Sequence, residues 1–538
     1  MRRVLLTTAL LSLAACAGTP PQGRFEGLGS HTRKIKTSSS EAQTFFDQGL
    51  IFLYGFNHDE AIRSFERAAA ADPSCAMAYW GISIANGPHI NNPAVDEAHA
   101  KAAWLALGRA RAAASDPLER ELIEALSRRY ADPQPADRAP LDKAYADAMR
   151  SVWKRHSRDA DIGALFAEAL MDLRPWDLWT NDGTPQPGTG EILQVLESVL
   201  ALGDHPLAQH LYIHAVEASP EPGKADAAAD RLRELVPGLG HLVHMPSHID
   251  VRRGRWQQAV VANQKAIVAD DGYTRRAPPP GFYRIYMAHN RHMLTFAAMM
   301  QGNGRQAMSA AREMMQSFPK EWLQQMAPLV DGFVATPYHL QLRFGRWNEM
   351  LAEPEPEGIF PLARALRLYA RGVALAALKR PAEARAEQKA FLAARARVPK
   401  DATFGNNTAA DLLAIAEASL EGEILYREGK SAEAFASLRE AVKKEDRIRY
   451  AEPPDWIQPV RHTLGAALLH SGAAAEAEAV YLEDLKRWPE NVWSLAGLSQ
   501  SLRAQGKKPG EIEARLRQSG RYADVDLNSS CLCLPGRK

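Results

Sequence analysis

The feature that most restricts the fold of this chain is a fixed spacing of small and aromatic residues that occurs near both of its ends. Gly49, Ala61, Phe65, Ala68 and Pro73 follow one another at intervals of 12, 4, 3 and 5 residues, and Gly465, Ala477, Tyr481, Asp484 and Pro489 repeat those intervals. Elsewhere apolar residues recur at three- and four-residue steps, the period of a helix, and strand-like alternation is nearly absent. Such a pattern predicts paired helices. The small residues let the two helices of a pair approach, and the proline ends the second helix. One pair cannot bury its own apolar face, so pairs must stack into an array.

This spacing resembles the tetratricopeptide repeat, a helix–turn–helix unit of 34 residues. The resemblance implies an all-α, right-handed tetratricopeptide-type α-solenoid. With the alanine at phase 20 as anchor, further units are expected to start at 206, 240, 288, 331, 365, 415, 458 and 492. Residues 86–160 carry charged helices that fit the pattern poorly. Residues 174–190 and Asp270 to Gly281 read as loop insertions, which in solenoids tend to gather on one face. The Pro/Glu segment before residue 359 divides the chain into an array over 41–354 and a more regular one over 355–520, followed by a tail over 521–538 that holds Cys531-x-Cys533.

The first residues predict an address. Arg2 and Arg3 precede an apolar run, and Leu13-Ala14-Ala15-Cys16 resembles a bacterial lipobox. A signal peptide over 1–15, lipidation of Cys16 and a flexible tether over 16–40 are expected. In lipoproteins of this type, Ala17 in place of aspartate implies sorting to the outer membrane, facing the periplasm. In that oxidising compartment Cys75, Cys531 and Cys533 form an odd set whose pairing the sequence leaves open. A net charge of +1 argues against a general nucleic-acid binder. Phosphate-loop, zincin and nucleophile-elbow motifs are absent.

Eight of the sixteen histidines lie between His210 and His339. In the repeat phase set by alanine and proline alone, they fall at positions 2, 5 and 9 of the first helix of adjacent units. These positions share one helical face, which in tetratricopeptide proteins lines the concave groove. Three readings follow. Neutral imidazole is the commonest metal ligand, so His210, His214, Glu217, His241, His244, His248, His289, His292 and His339 are candidate ligands for Zn, Cu or Fe. Alternatively the groove takes a protein or peptide partner or an anionic ligand, helped by Arg252, Arg253, Arg255 and Arg291. Or the histidines only satisfy one another inside the array. Glu168 and Asp172 are taken as a solvated helical face.

The segments 209–219 (QHLYIHAVEAS), 241–249 (HLVHMPSHI) and 288–292 (AHNRH) resemble a His-rich subgroup of bacterial tetratricopeptide proteins of unassigned function. That resemblance favours a membrane-anchored binding or scaffold protein, with a metal-binding protein or metalloenzyme as the alternative. It leaves enzymatic activity open.

Overall fold

The structure, a computed structural model, describes residues 23–533; the lipobox lies outside the described residues. It is all-α apart from one two-stranded ribbon, Thr403–Phe404 with Asn407–Thr408. Consecutive helices pack as antiparallel pairs: Ser40–Tyr54 with His58–Ala71, Pro361–Ala377 with Pro381–Arg395, Ala409–Arg427 with Ser431–Arg447, and Val460–His470 with Ala474–Arg487. Side-chain caps define several starts. Ser39 accepts from the Ala42 amide and Asn491 from the Ser494 amide, satisfying donors that a helix N-terminus otherwise leaves without partners.

Helices beginning at Pro206, Gly240, Val460 and Val492 match the expected repeat starts to within two residues, whereas those at Pro361 and Ala409 begin four and six residues early. The unit expected at 331 is less regular. A helix over Lys320–Val334 precedes a short one over Thr336–Arg343, because Pro337 starts a new helical turn. The last helix, Gly510–Ser519, buries none of its residues, as a terminal cap requires.

The repeat spacing has a direct packing cause. A Cβ on Gly49 would meet the Phe65 ring at 2.6 Å, and one on Gly81, in the next helix, would meet the same ring at 2.4 Å. Tyr481 is wedged likewise between Gly465 and Gly497, with approaches of 2.5 and 2.2 Å. One aromatic ring thus locks its own unit to the next. Gly497→Ala is expected to lower the unfolding free energy by about 1–3 kcal/mol through overpacking; a urea midpoint equal to that of the parent protein would refute this account.

The array does not remain open. The Asn181 side-chain amide donates to the carbonyls of Asp446 and Ile448 at 3.1 and 3.0 Å. Trp256 Nε1 donates to Pro489 O at 2.9 Å and Trp493 Nε1 to Met299 O at 2.8 Å. The C-terminal array therefore folds back onto the N-terminal one, and one apolar cluster joins residues 251–344 to Trp488 and Trp493.

Several expectations need correction. From residue 25 onward the expected tether is bound: Gly27 O accepts from Gly238 N at 2.7 Å, and Arg33 pairs with Asp159 and Asp161 at 2.8 and 3.0 Å. Helix Trp256–Thr274 runs through Asp270, which is buried and accepts from Asn290 at 2.7 Å, so the insertion begins only after Thr274. Glu168 is buried and the Asp172 side chain is only 4% exposed, rather than solvated, and Arg129, stacked on Tyr145, pairs with Asp172. Burial pushes both carboxyls upward. The tail is also packed. Cys531 and Cys533 form a buried disulfide, so neither offers a thiolate to a soft metal. Cys75 is buried and free, with burial raising its thiol to about 11.

Candidate metal centre

Helix Pro206–Glu217 carries His210, His214 and Glu217 at steps of four and three residues, on one face. In the next unit Pro246 splits the first helix into Gly240–His244 and Pro246–Arg252, as proline's missing N–H and fixed φ dictate. His241, His244 and His248 straddle that break. His289 comes from helix Arg284–Met300. The structure gathers these six histidines into two sets of three, His210–His214–His241 and His244–His248–His289, with the ligand atoms of each set within 4.8 Å of one another.

Glu217 joins the two sets. Its carboxylate accepts from His214 Nδ1 at 2.8 Å and from His248 Nδ1 at 2.5 Å. Burial alone would raise its pKa, but His248 and His214 outweigh that and hold it down at about 2. Glu452, brought in by the C-terminal array, places Oε2 3.5 Å from His248 Nδ1. Burial, then repulsion from Glu217, pushes the Glu452 carboxyl well up, and the Tyr450 hydroxyl donates to it.

The hydrogen bonds fix the histidine tautomers. His210 Nδ1 donates to the Tyr54 carbonyl at 2.8 Å, and His244 Nδ1 to Asn263 Oδ1 at 2.7 Å. His214 and His248 donate through Nδ1 to Glu217. Each of these four rings, when neutral, therefore keeps its lone pair on Nε2. His244 Nε2 and His248 Nε2 nevertheless lie 2.7 Å apart, and His210 Nε2 lies 3.2 Å from His241 Nε2. His214 Nε2 and His241 Nδ1 are buried without a hydrogen-bonding partner. Burial, reinforced by repulsion among the rings, pushes His210, His241, His244 and His289 well below the usual histidine range.

His292 and His339 do not join either set. His292 meets Phe333 and Phe404 edge-on or tilted at 5.1 and 6.2 Å, and His339 meets Trp456 at 5.1 Å. Burial lowers them to about 3 and about 4. Their rings pack as apolar surface, and Trp456 is buried in the core. Glu217 also departs from expectation, since both its oxygens are engaged by histidine Nδ1 atoms. The arginines proposed as groove cations are mostly spoken for: Arg255 pairs with Asp250 at 2.8 Å, Arg253 with Asp226 at 3.3 Å, and Arg291 with Asp271 at 3.7 Å. Arg252 stacks over Tyr450.

The histidine face is enclosed, not an open groove; His210, His241, His244 and His248 are each at most 1% exposed. Residues outside the repeat phase complete it: the Tyr54 carbonyl, Asn263, Glu452, and Phe56, whose ring lies 4.5 Å from both His210 and His89. A second His/Asp group also escaped the sequence. His31, His205 and Tyr54 all donate to Asp161 Oδ1 at 2.9, 3.0 and 2.5 Å. Burial alone would raise Asp161, yet these donors and Arg33 keep it well below the carboxylate range. This group ties residues 31–33 to the array.

No protein family profile matches the chain, and no curated protein matches it. Solved helical-repeat structures are similar at low identity. The Cut9–Hcn1 hetero-tetramer of APC/C shares 11% identity over 90% of this chain and 78% of that one, with a TM-score of 0.33. The human IFIT1 dimer with m7Gppp-AAAA shares 10% over 91% and 92%, with a TM-score of 0.34. Yeast Tom70 shares 10% over 90% and 91%, with a TM-score of 0.30. The class is an all-α, tetratricopeptide-type solenoid, and its own helix pairs and glycine–aromatic wedges carry that assignment. Within that fold the chain carries a buried, carboxylate-linked histidine centre.

Proposed function

We propose that this protein is a metal-binding helical-repeat protein, holding one transition-metal ion on each histidine triad. The observation that carries the reading is the approach of His244 Nε2 to His248 Nε2 at 2.7 Å, with Nδ1 of each ring already committed as a donor. Facing lone pairs at that distance repel unless a proton or a metal ion is shared between the two rings. A third imidazole, His289, lies with its ring centroid 4.6 Å from that of His244, which makes a three-nitrogen set suited to a metal ion. Orienting the ligand rings through Nδ1–H to a carboxylate, a carbonyl or an amide oxygen is the usual outer shell of such sites. All-imidazole sets favour Zn, Cu or Fe over Mg or Ca.

The lipobox-like residues 13–16 support anchoring through Cys16 and an envelope location facing the periplasm, and the Cys531–Cys533 disulfide is in keeping with an oxidising compartment. Protein or peptide binding, the common work of such arrays, falls to surfaces outside the enclosed histidine face. Elemental analysis of protein purified without added chelator is expected to give two equivalents of transition metal. Chelation should lower the melting temperature, because a ligand at a hundredfold its Kd stabilises the folded state by about 2.7 kcal/mol per site. Protein that holds no metal after incubation with Zn, Cu and Fe salts, and whose melting temperature is indifferent to them, would rule this function out.

A further inference from the structure

Three nitrogens leave a tetrahedral ion one ligand short, and the surroundings of the His210–His214–His241 triad indicate what completes it. A cavity of about 90 Å³ reaches His214 and Glu217 from the loop after helix Ala160–Met171. Its walls include Trp176, Trp179, Arg174, Arg449 and Tyr450. The volume exceeds the roughly 10–15 Å³ that one water needs and suits an ion of a few heavy atoms.

The walls are held in place. Trp179 Nε1 donates to Ala215 O at 2.8 Å and Trp176 Nε1 to Asn91 Oδ1 at 2.9 Å. Trp176 takes a left-handed φ of 56°, which a bulky residue adopts only at a cost, and its ring stands 5.2 Å from that of His214. The charge at the mouth is unbalanced. Arg174 pairs with Asp177 at 2.6 Å, whereas Arg449 lies 3.7 Å from that single carboxylate. Glu217 also borders the cavity, but both its oxygens are taken by histidines. His214 Nε2 has no partner within the protein.

We infer that this cavity is a binding site for a small anion that coordinates the metal on the His210–His214–His241 triad and is drawn in by Arg174 and Arg449. The inference rests on the metal reading above and adds an exchangeable ligand to it. Aromatic walls exclude bulk water and strengthen the attraction of ion and arginines for an anion.

The test uses the full chain loaded with Co(II), whose visible bands report coordination, with azide as the probe. Azide should shift those bands saturably. Arg174→Gln and Arg449→Gln should each weaken azide binding about tenfold or more, the effect of losing a hydrogen bond to a charged group, with the cobalt content unchanged. Arg174→Lys should restore part of the affinity. Bound cobalt whose spectrum ignores azide overturns the inference while leaving the metal reading intact, and so does azide affinity that both glutamine variants leave unchanged. Failure to bind cobalt at all removes both.

Discussion

His214→Ala combined with His244→Ala is expected to abolish metal binding, taking the stoichiometry from two equivalents to none. Each substitution removes one nitrogen from a different triad, and His214 is also the ring that borders the cavity. Two imidazoles remain in each set, fewer than the three protein ligands that open zinc sites keep. Metal-dependent stabilisation should vanish with the metal, a loss of about 2.7 kcal/mol per site at a hundredfold excess over Kd. The metal-free proteins should differ far less, because small cavities replace rings that pressed unfavourably against one another. The comparison is made by elemental analysis and by melting curves with and without chelator. A double variant that keeps its full metal load would show that these triads are not the site.

The second large effect is expected from an isosteric change. Glu217→Gln keeps one acceptor oxygen but turns an NH₂ group toward the other histidine. Either His214 or His248 must then move its proton from Nδ1 to Nε2, which removes the lone pair that binds metal. One triad should fail while the other survives, so the protein is expected to retain one equivalent in place of two. The surviving site should weaken roughly 10–100-fold, as loss of an outer-shell carboxylate commonly does. Titration with Zn monitored by calorimetry distinguishes the outcomes. Retention of two tight sites would show that Glu217 does not set the tautomers.

Much of this architecture was legible in the residues, and the exceptions have physical causes. The Gly–Ala–aromatic–Ala–Pro spacing located the repeats because Phe65 and Tyr481 each need glycine on two successive helices. The same phase brought six of the eight clustered histidines together, since residues four apart on adjacent helices point the same way. It misplaced His292 and His339. Their rings pack instead against Phe333, Phe404 and Trp456, aromatic neighbours that the repeat phase does not register. Glu452 was out of reach for another reason. It lies 235 residues beyond Glu217, and only closure of the array brings it near His248. Glu168 and Asp172 read as solvated because their spacing matches any exposed helical face; nothing local announces that Arg129 comes over them.

That closure bears on how the protein comes into being. An open repeat array can nucleate anywhere and propagate from neighbour to neighbour. Here the hydrogen bonds from Asn181 to Ile448 and from Trp493 to Met299 span 267 and 194 residues. Contacts so distant along the chain form slowly, because long loops must be ordered first. The N-terminal units carry their histidines already in phase, whereas one side of the enclosure, residues 446–456, comes from a segment far along the chain. On the metal reading, the triads are open to an ion before residues 446–456 arrive, and closure then adds the Glu452 side to a site already formed.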